Sequence, residues 1–375
     1  MRTEPSSTND QPRLITALSI VGMGGVILLL GGLALAMPGK ALEASLRGVA
    51  VWWEVLFPAL FPFFVLSDVM LGFGIVHFAG KLLDPFMRPV FKLPGIGGFV
   101  LAMGYVSGYP VGARLTSRLM EQRMIDRDQG ERLVAMTTTS DPIFLIGAVC
   151  IGFFGSLEPA LALAIAHYGS ALLIGILYRF RPGAGADSPE EDRVPRKPSP
   201  TPQRRDGRLR AALAAMHRAR LADGRPFAVL LRQSLQSSLA LMMIVGGLVV
   251  FFSATMTLLI DSGALALFHH AISGLLQLCG MSPHIASSLI HGTFEVTIGA
   301  KAAAGSGAAG SALPLVDRVA AAAFVLSWAG LSVHAQVAGL MSRTKWRYLP
   351  FARARLLHGI LAMIAVYAVW PLLHS

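Results

Sequence analysis

The chain has 375 residues, 54% of them hydrophobic and only 14% charged, with a formal net charge of +11. A soluble domain carries about 25% charged residues, so this balance argues against an ordinary soluble enzyme and for a polytopic membrane protein, with transport as the first functional class. The basic excess falls in loops, where membrane proteins use it to set topology, and no nucleic-acid motif accompanies it, so no nucleic-acid partner is expected.

In chain order, residues 1–13 read as an N-terminal tail and 14–37 as a first transmembrane helix. The run ends A-L-A-M, a weak cleavage signal at Ala34 and Ala36, but it is longer than a signal-peptide core, which favours an uncleaved anchor. Further apolar spans fall near 50–77, 131–155, 158–180, 229–260, 319–341 and 355–373. Two shorter runs, 95–113 and 284–302, lie between them. Residues 181–226 differ in kind: eleven Lys/Arg, six Asp/Glu, many prolines and no apolar span. Their first part reads as a disordered linker, and 207–222 as a surface helix with a basic face; a regulatory or lipid-binding role is the second reading of this stretch. Cys150 and Cys279 lie in apolar stretches outside any C-x-x-C and read as packing residues.

Loop charge orients these spans. Residues 114–132, 181–226 and 343–355 are basic and read as cytoplasmic, the last through Arg343, Lys345, Arg347, Arg353 and Arg355. Residues 261–300 contain no Lys or Arg. Threaded on that basis, 95–113 enters the membrane and returns to the linker side, whereas 284–302 dips in from the opposite side.

A shift of 187 residues places G-Y-P-V-G-A-R (108–114) on E-V-T-I-G-A-K (295–301). The same shift places Ser140, in T-T-T-S-D-P, on Ser327, in V-L-S-W-A-G. Equal spacing of two polar breaks with opposite loop charge is the mark of an inverted-topology repeat, here 45–180 and 227–375. The predicted fold is an all-α polytopic membrane protein with re-entrant hairpins and broken helices, and the binding site is expected near the midplane where the breaks meet. Non-helical backbone at that depth requires protein or a water-filled cavity beside it. The tips bring Ser107, Gly108 and Tyr109 from the first half and Phe294 and Glu295 from the second. The broken spans bring Thr139, Ser140 and Asp141, then Ser327, His334 and Gln336.

These same stretches resemble a known family. F-P-A-L-F-P-F-F (57–64), S-G-Y-P-V-G-A (107–113), H-G-T-F-E-V-T-I-G-A-K (291–301) and G-L-S-V-H-A-Q-V (330–337) are similar to the YlbJ-like sporulation integral membrane proteins, with their paired Gate, or nucleoside-recognition, domains. The resemblance implies a fold related to concentrative nucleoside transporters. It also implies a role in endospore formation, moving dipicolinic acid across the mother-cell-derived outer forespore membrane upstream of cortex maturation. Asp141 departs from the pattern, standing where a glycine-like residue is expected.

For a planar aromatic dicarboxylate, the symmetry-related Arg114 and Lys301 are the expected carboxylate partners, with hairpin anchoring as their alternative role. Glu295, an intramembrane carboxylate, is expected to carry a proton, bind a cation or neutralise Lys301. Asp141 reads both as an N-cap for a half-helix beginning at Pro142 and as a site residue. His334 in an apolar span is equally a packed polar group. His269 and His270 are adjacent and make a poor metal pair. No H-E-x-x-H, G-x-S-x-G or P-loop is present, so neither an enzyme nor a metal or organic cofactor is expected; a coupling H+ or Na+ stays open. The expected partners are a small-molecule anion and the lipid bilayer, with homo-oligomerisation open. A nucleoside-type transporter and a non-transporting membrane scaffold are the alternatives.

Overall fold

Among the described residues of the computed structural model, 11–180, 205–305 and 313–373, every regular element is helical. Residues 1–10 of the expected tail and 181–204 of the expected linker lie outside them. Helix α1 (Gln11–Ala36) turns by 103° into α2 (Pro38–Val51); Pro38 lacks the N–H that would continue the ladder. A π-helical turn, Trp52–Leu56, leads into α3 (Phe57–Gly72), and Gly74 at φ +76° makes an 84° bend into α4 (Ile75–Phe91). Sequence patterning did not find α4 as a separate element, because Lys81, Asp84, Pro85, Arg88 and Pro89 dilute its apolar run.

Each of the two short apolar runs is a pair of helices. The first is α5 (Ile96–Ser107) and α6 (Tyr109–Glu121); α7 (Arg127–Thr137) follows, then an extended break, a π-helical segment Ile143–Phe153 and α8 (Ala160–Tyr178). After α9 (Arg205–Asp223) come α10 (Phe227–Asp261) and α11 (Ala266–Leu278). The second pair is α12 (Ala286–Phe294) and α13 (Val296–Ala303), followed by α14 (Leu315–Trp328), a break at Ala329, α15 (Gly330–Met341) and α16 (Tyr348–Leu373). Thus the spans expected at 131–155 and 319–341 are each two pieces with a non-helical joint.

The order hairpin, helix, break, helix, helix occurs twice, and the two sets interlock reciprocally. Helix α6 packs on α15 while α13 packs on the Ile143–Phe153 segment; α8 packs on α14 while α16 packs on α7. With the opposite loop charges, this is an inverted repeat with two re-entrant hairpins. Glycine permits the close crossings inside the second hairpin and between the first hairpin and α7. A Cβ at Gly299 would lie 2.3 Å from Gly292 Cα, and one at Gly112 would lie 2.7 Å from the Thr137 carbonyl oxygen. Such contacts let short helices meet backbone to backbone, the main source of helix association where lipid is as apolar as the side chains.

Two expectations need correction. Arg355 is not a loop charge: it lies in the second turn of α16 and is fully buried. Cys279 is exposed just beyond α11, and only Cys150 is buried.

Candidate functional site

Four half-helix N-termini meet around one cavity. Its lining includes Tyr109 and Pro110 from α6, Asp141 and Phe144 at the first break, Glu295, Val296 and Thr297 from α13, and Ser332, Val333 and Gln336 from α15. Leu56, Leu60, Val245 and Val249 close its apolar wall. The volume open to water is ≈ 30 Å³, room for about two molecules.

The two carboxylates serve these N-termini in complementary ways. Asp141 Oδ1 accepts the Phe144 N–H at 2.8 Å, capping the segment beyond the break. Its Oδ2 faces the first hairpin tip, 3.0 Å from where a Cβ on Gly108 would stand. Gly108 itself holds φ +82° and offers no side-chain cap to α6, a backbone geometry natural to glycine. In the second half the placement is exchanged. The hairpin tip carries the carboxylate, and Glu295 Oε2 accepts the Ile298 N–H at 2.8 Å. The left-handed residues are now in the broken span, Ala329 at φ +76° and Gly330 at φ +72°. A Cβ on Gly330 would stand 3.2 Å from Glu295 Cα, so the joint is pressed against the tip as in the first half. A left-handed alanine costs about 1–2 kcal/mol, and such strain gathers at functional breaks. Each half therefore has one carboxylate for two N-termini.

Behind the cavity the breaks are fastened to each other. The Ser140 N–H donates to His167 Nε2 at 2.9 Å, and His167 Nδ1 lies 2.8 Å from Ser327 Oγ. Because Nε2 accepts, the proton is on Nδ1 and Ser327 receives it. Tyr168 donates its hydroxyl to the Ser140 carbonyl at 3.0 Å, and Tyr109 reaches across to the Leu326 carbonyl at 2.9 Å. The Arg355 guanidinium donates to the carbonyls of Ala135, Thr138 and Ser327. It thereby sits at the carbonyl ends of both α7 and α14, where a positive charge is favoured. His358 stacks on His167 with ring centroids 5.2 Å apart.

Of the residues expected at the site, the cavity brings together Tyr109, Asp141, Glu295 and Gln336. Gly108, Ser140 and Ser327 stand immediately behind it. Ser107 and Thr139 are fully buried beside the first joint, with hydroxyls that have no hydrogen-bond partner. Phe294 shapes the second joint through its carbonyl, 3.0 Å from the Cβ position of Gly330, but does not line the cavity. Neither expected cation does so either. Arg114 pairs with Asp68 at 2.5 Å and hydrogen-bonds Ser237 at 2.8 Å, and Arg118 shares the same carboxylate at 2.6 Å. Lys301 is exposed in the last turn of α13. Six residues past the tips, about one and a half helical turns, neither side chain reaches the cavity. His334 is a satisfied packing group, 2.8 Å from the Tyr348 hydroxyl and 3.1 Å from the Trp328 carbonyl, with its ring tilted against Trp328 at a centroid distance of 4.3 Å.

Sequence reasoning missed Thr297, Ser332, His167 and Arg355. Thr297 is buried and lines the cavity beside Glu295. A signal for Arg355 does exist: Phe351, Arg355, His358 and Ala362 recur at helical spacing, a buried face that a loop assignment hides.

The chain was compared with known proteins. A family model described as nucleoside recognition, the Gate domain, matches residues 53–169, which include the first hairpin and first break. Over 362 residues the chain is 38% identical to the "Sporulation integral membrane protein YlbJ" of Bacillus subtilis (strain 168), a match that covers 96% of this chain and 85% of that relative. No solved structure matches.

Proposed function

The chain belongs to the family of the sporulation integral membrane protein YlbJ, and we propose that it is a carrier, not an enzyme, for a small anionic aromatic solute. The solute is dipicolinic acid during endospore formation, and the membrane is the outer forespore membrane with the 181–226 linker on its cytoplasmic side. One observation carries this reading: four half-helix N-termini converge on a single cavity.

Charge arithmetic gives the mechanism. Each N-terminus presents roughly half a positive charge, about +2 for four. Ionised Asp141 and Glu295 offset that amount, so the empty cavity is near neutrality. Among the described residues lining it there is no Lys or Arg. A dianion has no surplus positive charge to meet until the two carboxylates take up protons or cations. Transport of dipicolinate by this site is therefore coupled, one positive charge per carboxylate. A cavity of ≈ 30 Å³ is closed to an aromatic ring, so the solute binds when the hairpins separate from the broken spans. Release follows when they separate on the opposite side.

A second reading is favoured by the same lining. Gln336, Asp141 and Glu295 supply an amide and two carboxylates, groups suited to sugar hydroxyls, and the matching family model is one of nucleoside recognition. Uptake of labelled dipicolinate into proteoliposomes, with uridine as competitor, separates the two. Dipicolinate uptake insensitive to uridine supports the first. Uridine uptake without dipicolinate uptake overturns it for the second. No uptake of either by correctly inserted protein leaves a membrane scaffold.

A further inference from the structure

Helix α9 is anchored by one face and leaves the other without a partner among the described residues. Its inner face sits on the bend between α3 and α4. Ala212 is fully buried there, and a Cβ at Gly74 would meet the Met216 carbonyl oxygen at 2.7 Å and Ala219 at 2.9 Å. Arg220 lies over the Phe73 ring at 5.1 Å and donates to the Arg225 carbonyl at 2.6 Å. Asp223 binds the Arg225 guanidinium at 2.5 Å, which fixes the corner where α9 hands over to α10. The helix therefore holds a defined orientation on the membrane domain.

The outer face mixes two chemistries. Leu209, Leu213 and Leu221 are 50%, 46% and 67% exposed, and Arg210 and Arg218 are exposed among them. None of the ion pairs among the described residues involves Arg210 or Arg218. Leu209 and Leu213 stand four residues apart and Leu221 eight further on, with His217 between; in a lipid headgroup layer such leucines reach the acyl boundary while the arginines stay with the phosphates. Position agrees, since α9 runs directly into α10, whose 35 residues are long and apolar enough to cross the bilayer.

We propose that the outer face of α9 is a docking surface for the anionic lipid leaflet on the linker side. The arginines bind acidic headgroups and the leucines enter the layer beneath, so that lipid charge helps to hold the bend between α3 and α4. This does not depend on which solute is carried.

The test uses full-length protein in nanodiscs, with an environment-sensitive fluorophore on a cysteine at Leu213 and the two native cysteines replaced by alanine. Discs of phosphatidylcholine alone are compared with discs in which a third of the lipid is phosphatidylglycerol. In the anionic discs the probe should shift to the blue and be quenched by a lipid-borne quencher. Each basic residue near the surface contributes about fivefold to such binding, so Arg210→Gln with Arg218→Gln should lower the lipid-quenched population at least tenfold, and the Lys variants should keep it. Quenching that is the same in both discs and indifferent to the arginines would overturn the proposal. So would a probe that stays in water until a soluble acidic protein is added, which would make the occupant a protein.

Discussion

Ser140 and Ser327, 187 residues apart and equivalent in the repeat, are held by one imidazole: the Ser140 amide donates to one nitrogen of His167 and the Ser327 hydroxyl meets the other. The joints of the two halves therefore cannot move independently while His167 is in place. Replacing His167 with Ala leaves the buried Ser140 N–H without an acceptor, at a cost of about 1–3 kcal/mol. The expected outcome is a lower melting temperature in detergent and a large loss of transport. His167→Gln, which keeps one of the two bonds, should recover part of both. A variant with full transport and unchanged melting would show that the link is idle.

Arg355 makes a sharper case. Arg355→Met keeps the volume but strands three buried carbonyls at the ends of α7 and α14, each worth about 1–3 kcal/mol if unpaired. That variant should insert poorly or unfold at low temperature. Arg355→Lys keeps the charge but not the fork, and should be intermediate. Fluorescence-detected size-exclusion and thermal melts give the order; equal stability of the three proteins would contradict the capping role.

Glycines in the hairpins separate packing from propensity. Gly299→Ala drives a methyl into Gly292 backbone at 2.3 Å and should destabilise by about 1–3 kcal/mol, as over-packing does. Gly247→Ala, in α10 with nothing within 4 Å, should instead stabilise by about 0.5–1 kcal/mol from helix propensity. Melting temperatures that move in opposite directions are the expected result.

Arg114, paired with Asp68, should no longer discriminate among solutes. Asp68→Asn leaves the buried Arg114 guanidinium without its counter-charge, whereas Arg114→Gln leaves Asp68 still paired with Arg118. The double variant should lose less than the sum of the two, a coupling of about 0.5–3 kcal/mol. Apparent affinities for pyridine mono- and dicarboxylates should change in parallel. A selective loss of dicarboxylate would return Arg114 to the site.

Coupling is read from Asp141→Asn and Glu295→Gln. If each carboxylate takes up one positive charge with the solute, each variant should flatten part of the pH dependence of uptake, and the pair should abolish it. A pH profile and a Na+ dependence both unchanged in the two variants would leave the carboxylates as caps alone.

Much of the site was legible because helix breaks at membrane depth need particular residues. Gly108, Pro110 and the T-T-T-S-D-P run announce interruption, and their spacing recurs in the second half. Arg114 and Lys301 were misplaced because position along a sequence says how far a residue is from a tip, not which way a helix turns its side chain. His167 could not be found at all. Nothing local marks it, and its role exists only where α8 of one half meets the end of α14 of the other. Arg355 was hidden by the positive-inside rule itself, which treats every arginine near a span end as a loop charge.

The exchanged placement of the two carboxylates also bears on how such a molecule arises. Two copies of the first half would set an acid in both broken spans and leave both hairpin tips bare; two copies of the second would do the reverse. Neither homodimer carries the mixed arrangement found in the fused chain. The halves are thus not interchangeable parts, and a division of labour between them requires both to stand in one chain.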